Sequence, residues 1–435
     1  MQDTRFYVNG MRVILAGLVG LFLVTGYVGA ERQRAEPQVI KADHVAQGNN
    51  AFALDLYGQL KDKPGNLFFS PYSISTALNM TYVGARGPTQ RQMAEVLKVP
   101  VRKEVIADQR GEIERISLIP PEQLNLAYGA FIRQLNEQGK KGDYQLQVAN
   151  ALWGQQGYGF LEEFLQQVRE YYGAGLHEVD FQDAAAREKA RETINKWVEM
   201  QTNDKIRDLI KPGMLDDMTR LVLTNAIYFK GDWALQFDKK NTKDLPFYIS
   251  PEDKIDVPTM SHKDRFMFGE VDDLQVLELP YKGNDLSMVV LLPKKKEGLA
   301  AMEKNLNTKN LEGWLAKMNR REVQVFLPKF RQTCEFGLGE VLSRMGMKDA
   351  FSPGQADFSG MNGRQDLFIS AVLHKAFVEV NEEGTEAAAA TGIIVGVTSI
   401  PLPPPEFRAD HPFVFMIRDA KTGAILFMGR IVKPE

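Results

Sequence analysis

The sequence has a single cysteine, Cys334, among 435 residues. No disulfide can form within the chain, so the fold rests on its apolar core, and a chain this long buries enough surface for that. In the apolar stretch from Val323 to Phe336 the lone thiol reads as an inert core residue. An excess of one charge is also missing: the net charge is -3, and the longest basic run is Lys294-Lys295-Lys296, which reads as a solvated turn. Nothing here offers a nucleic-acid partner an electrostatic footprint. From Lys41 onward there is no Pro/Ser-rich linker, repeat or low-complexity break; the only proline cluster is Pro403-Pro404-Pro405.

Catalytic signatures are absent too. The chain has no Gly-x-Ser-x-Gly, His-Glu-x-x-His, phosphate loop or Gly-x-Gly-x-x-Gly. Its five histidines, His44, His177, His262, His374 and His411, have no partners at metal-ligand spacing. Asp216-Asp217 and Glu382-Glu383 are adjacent pairs that point apart, and Glu162-Glu163 reads as a solvated helix face. No motif supports an enzyme, a metal site or a cofactor, although a triad assembled across a fold leaves no local trace.

What is present begins with Val13 to Ala30, an apolar run after Met11-Arg12 that ends in Val28-Gly29-Ala30 before the charged pair Glu31-Arg32. Small residues at that end predict a secretory signal peptide over 1–30 cut after Ala30, with Met11 a possible start. An uncleaved membrane anchor is the alternative, since 18 residues just span a bilayer. Either reading puts the rest of the chain outside the cytoplasm, secreted or membrane-anchored. Residues 31–40 form a short N-terminal segment.

Helical periodicity predicts helices over Ala42 to Leu60, Thr89 to Leu97, Gly159 to Tyr172 and Ala184 to Thr202. Ser70-Pro71 reads as an N-cap with proline at the first helical position, opening a helix through about Val83. Strands are expected at Leu221 to Phe229, Leu274 to Leu279, Leu286 to Leu292, Val323 to Leu327, Phe377 to Val380, Phe413 to Ile417 and Ala424 to Val432. Helices dominate the first half and strands the second, an α+β pattern.

The segment Asn381 to Thr398 fits no ordinary element. Four alanines between Gly384 and Gly392 are too few to hold a helix alone, and a plain linker has little use for Ile393-Ile394-Val395. At period two, Thr385, Ala387, Ala389, Thr391, Ile393, Val395 and Val397 form one uncharged face, and the other face carries Glu386 as its only charge. Linker and conformational switch, an exposed loop able to become a strand, both stay open at this point.

This segment resembles the hinge and reactive-centre loop of the serpins, a family of serine protease inhibitors. Other stretches resemble serpin motifs in serpin order: Asn66 to Ile74, Ile194 to Ile206, Thr224 to Trp233, Leu327 to Phe330, Asp410 to Phe415 and Ile425 to Arg430. The similarity covers about Lys41 to Pro434. It implies one domain over 41–435, with a large five-stranded mixed sheet, two smaller sheets, about nine helices and an exposed loop over about 382–403.

The implied activity is suicide inhibition. A target serine protease cleaves the loop, is trapped as a covalent acyl-enzyme, and is carried along as the loop inserts into the large sheet. Stored free energy of a metastable fold drives that step. By resemblance Gly384 is the pivot, and Thr385, Glu386, Ala387, Ala388, Ala389, Ala390 and Thr391 are the hinge. Small uncharged residues on its inserting face point to an inhibitor, since a charge there would be buried unpaired. Ser73, Asn225 and His374 match the polar cluster where strands part (the shutter), and Trp233 the aromatic where insertion begins (the breach).

Counting from Gly384 as that family does puts the reactive bond at Thr398–Ser399, with Val397 or Ser399 as alternatives for the residue presented. All are small and uncharged, which suits elastase-like or subtilisin-like proteases better than trypsin-like ones. The presumed fourth helix, Thr89 to Leu97, carries only Arg91 with Lys98 beyond it, so activation by heparin-type polyanions is not supported. The inhibitor is expected to be a monomer without metal or cofactor. The alternative is a non-inhibitory binding or carrier protein on the same fold.

Overall fold

The computed structural model describes residues 40–108, 111–139, 144–384 and 403–435, with the backbone alone for 102–108 and 111–116. In chain order come α1 (Ala42–Leu60), β1 (Leu67–Phe69), α2 (Pro71–Tyr82), α3 (Gly87–Val96), β2 (Val101–Asp108), β3 (Gly111–Leu118), α4 (Pro121–Gly139), β4 (Tyr144–Gln155), α5 (Glu162–Tyr172), β5 (Leu176–Val179), α6 (Ala184–Gln201) and β6 (Leu221–Gly231). The second half holds β7 (Lys243–Tyr248), β8 (Lys254–Val271), β9 (Leu274–Pro280), β10 (Leu286–Pro293), α7 (Leu299–Asn305), α8 (Thr308–Ala316), β11 (Asn319–Pro328), β12 (Phe330–Gly337), α9 (Gly339–Met345), α10 (Ser359–Asn362), β13 (Ile369–Val380), β14 (Glu406–Arg408), β15 (Phe413–Asp419) and β16 (Ile425–Ile431).

Five strands form a mixed sheet in the order β12-β13-β6-β4-β5. Its central seam, β6 beside β13, is parallel. The other strands, apart from β2 and β3, form one nine-stranded sheet, because the 18-residue β8 passes from the pair β7 and β11 to β9 and so joins the two smaller sheets. The pair β2 and β3 is a separate two-stranded hairpin. Ten α-helices occur among the described residues.

Strand β6 reads as an almost unbroken apolar run because both its faces are covered. Leu221, Leu223, Ile227 and Phe229 enter the main core, whereas Val222, Ala226 and Tyr228 enter a second core roofed by Ile194 and Val198 of α6. Helix α2 starts as its sequence dictates: the Ser70 Oγ accepts from the Ser73 N–H at 3.1 Å, and Pro71 occupies the first turn. All twelve residues of α2 are buried. The helix lies against β6, β4 and β16.

Several expectations need correcting. The helix over Thr89 to Leu97 is the third, Gly87–Val96, not the fourth. The fourth is α4, which had no prediction and carries Arg133 as its only basic residue. The apolar stretch from Val323 to Phe336 is two strands separated at Lys329, not one. Cys334 is half-buried in the second of these, and burial pushes its thiol pKa up, as for an inert thiol.

Candidate functional site: the head and middle of the β6–β13 seam

Strands β6 and β13 end at the same end of the sheet, and there the chain turns out of β13 through Asn381 to Gly384. Backbone hydrogen bonds fasten this turn to the segment after β6: Trp233 N–H to the Glu383 carbonyl at 3.0 Å, and Phe237 N–H to the Glu382 carbonyl at 2.9 Å. The Trp233 indole N–H adds a third, to the Asn381 carbonyl at 3.0 Å. Its ring, buried, stacks on Tyr281 with centroids 4.6 Å apart.

Gly384 ends the turn with φ +98, a conformation that penalises any Cβ. There is no space for one either. A Cβ would lie 2.3 Å from the Trp233 nitrogen and 2.5 Å from the Gly231 carbonyl oxygen. Only glycine lets the chain leave the head of β13 so close to the end of β6.

The acid pair divides its work. Glu382 is buried, its carboxylate accepting from the Thr242 hydroxyl at 2.8 Å and lying 2.9 Å from the Lys329 ammonium. Burial alone would raise its pKa, but the Lys329 and Thr242 contacts outweigh that and hold the carboxyl below its usual range. Glu383 pairs with Lys239 at the surface. Sequence reading missed Lys329 because it lies 53 positions from Glu382.

Midway down the seam a buried polar network crosses three strands. The Ser70 N–H donates to His374 Nε2 at 3.1 Å, which fixes the proton on Nδ1 and lets it donate to the Asn225 side-chain oxygen. The Asn225 amide in turn donates to the Ser73 hydroxyl and to the Asn150 side-chain oxygen. Asn150 donates to the Ser73 carbonyl at 3.2 Å. The structure thus brings Ser73, Asn225 and His374 together and adds Asn150 of β4, which the sequence did not reveal. His374 is fully buried, and its surroundings push its pKa down to about 3, so the ring is neutral.

The serpin family model, described as serine protease inhibitor, matches residues 47–434. The chain belongs to the serpin family. Among serpin relatives, the human (Homo sapiens) leukocyte elastase inhibitor is 42% identical over 402 residues, covering 90% of this chain and 100% of the relative. Human serpin B4 is 41% identical, covering 90% and 99%. Uncleaved ovalbumin superposes with a TM-score of 0.77 at 33% identity, covering 90% of this chain and 100% of that one. Serpin48 of the insect Tenebrio molitor gives 0.74 at 32%, covering 90% and 98%.

In this serpin the expected reactive bond Thr398–Ser399, with Val397, and the expected hinge residues Thr385, Glu386, Ala387, Ala388, Ala389, Ala390 and Thr391 lie outside the described residues, as does the expected signal segment 1–30. Gly384 and Trp233 lie within them and touch. Among the described residues no three side chains gather as metal ligands.

Proposed function

We propose that this chain is a suicide inhibitor of serine proteases with small apolar pockets, of the elastase or subtilisin kind, acting as one domain over 41–435. The observation that carries the reading is Gly384. Its left-handed turn brings the chain, at Gly384, to the end of the β6–β13 seam, where a new strand would enter between those two strands. Thr385 to Thr391 supply small residues for that strand, with no charge on the face to be buried. The relative named leukocyte elastase inhibitor supports an elastase-like target, as does the uncharged stretch from Val397 to Ser399.

Ser73, Asn225 and His374, with Asn150, then act as the shutter. Strand entry separates Asn225 from His374, and each buried polar group left unpaired costs about 1–3 kcal/mol until new partners form. Trp233 acts as the breach, its two hydrogen bonds to the turn, with a third from the Phe237 N–H, keeping the loop's root in place. The protease would be held as a covalent acyl-enzyme by a monomeric inhibitor that needs no metal.

Incubation with pancreatic elastase is expected to give an SDS-stable adduct and a released C-terminal fragment starting at Ser399, or one residue to either side. Thr385→Arg should be cleaved by elastase without forming the adduct. An adduct with trypsin alone, or a cut far from Val397 to Ser399, would sink the reading. We further read residues 1–30 as a secretory signal cut after Ala30, with a retained membrane anchor as the alternative. N-terminal sequencing of the mature protein separates these two.

A further inference from the structure

A cleft of about 430 Å³ opens where β8, β9 and β10 of the nine-stranded sheet approach the segment following β6. Part of its wall is apolar: the half-buried Leu235 and Met267 line it over the buried Phe266 and Leu286, beside the polar Asn284 and Ser287. Two guanidiniums also line it, Arg265 of β8 and Arg320 of β11. In the antiparallel register Arg265 faces Glu322 and Arg320 faces Met267, so both arginines rise from one face of adjacent strands, two positions apart.

The neighbouring charges are already engaged. Lys263 holds Glu322 at 3.0 Å, and Arg321 lies 3.6 Å from Glu270 and over the Phe268 ring. The carboxylate that lines the cleft, Glu278, accepts from the Ser287 hydroxyl at 2.6 Å and is attracted to Arg418 on β15. Among the described residues, the side chains of Arg265 and Arg320 make no hydrogen bond, ion pair or ring contact.

Unpaired guanidiniums beside an apolar wall suit an anion that carries an apolar body. The planar guanidinium matches a carboxylate bidentately, and the cleft volume lies within the roughly 300–1,000 Å³ of small-ligand sites. We propose that this cleft binds an amphipathic carboxylate, with its acyl or aryl body on Leu235 and Met267 and its head on Arg265 and Arg320. The occupant would lie against the segment whose Trp233 and Phe237 amides hold the loop's root. The site itself does not depend on what the loop inhibits.

The test is calorimetric titration of the full chain with sodium decanoate below its micelle concentration, with decylammonium as the opposite-charge control. One saturable site is expected for decanoate and none for decylammonium. Arg265→Ala with Arg320→Ala should weaken decanoate at least tenfold. Arg265→Lys with Arg320→Lys, which keeps the charge and loses the fork, should fall between. Both arginines are exposed, so circular dichroism should show every variant folded. No saturable binding by the native chain, equal affinity in the double alanine variant, or equal affinity for decylammonium would each overturn the proposal.

Discussion

His374 has an ordinary value near 6.5 once unfolded and about 3 in the fold, where burial disfavours the cation. Its contribution to stability is therefore complete above pH 6.5. It is lost progressively as the pH falls toward 3, because the unfolded chain takes up a proton that the folded chain refuses. By pH 5 the loss is roughly 2 kcal/mol. Urea unfolding at pH 7.5 and pH 5 measures it, and His374→Gln should shrink that difference even if it lowers stability at both; an unchanged difference would count against the assignment. Residues in this network differed in legibility. Ser73, Asn225 and His374 were found through resemblance to a family motif, but Asn150 sits in a strand with no clear periodicity. Glu382 and Glu383 looked like one weak acid pair in the sequence, and only the fold shows one buried on Lys329 and the other at the surface.

At the scale of elements, the turn Asn381 to Gly384 is held by side chains as well as by backbone. The Glu382–Lys329 contact joins it to the junction of β11 and β12. Glu382→Gln or Lys329→Met should each lower stability by about 1–3 kcal/mol, the half-exposed lysine keeping the cost below that of a fully buried pair. The double variant should cost less than the sum of the singles, and a coupling energy of zero in urea unfolding would refute the latch. Strong periodicity or strong punctuation made α1, α2, α6 and β6 legible, with α1 bounded at the same residues. The hairpin β2–β3 and the helix α4 were not, since alternating charges and scattered leucines give no dominant period. The fold class and the five-stranded sheet followed from motif order. The continuity of the other two sheets depends on β8, whose length has no local signal.

At the scale of the molecule, an inhibitor and a carrier on this fold differ in what happens after the loop is cut. If the loop can insert, nicking it between residues 385 and 402 adds a sixth strand to the five-stranded sheet. The thermal midpoint then rises, by about 1 °C for each kcal/mol gained in a chain of this size. Scanning calorimetry before and after nicking decides, and an unchanged midpoint would favour the carrier. The two ends of the loop are fastened in different sheets. Its root hangs from β13, while its far end enters β14, alongside β11, and the chain continues through β15 and β16 inside the nine-stranded sheet. A severed chain therefore does not come apart: the tail beyond the cut stays woven through β14, β15 and β16 as a non-covalent subunit. The cut molecule should migrate as one species on a native gel and as two only after denaturation.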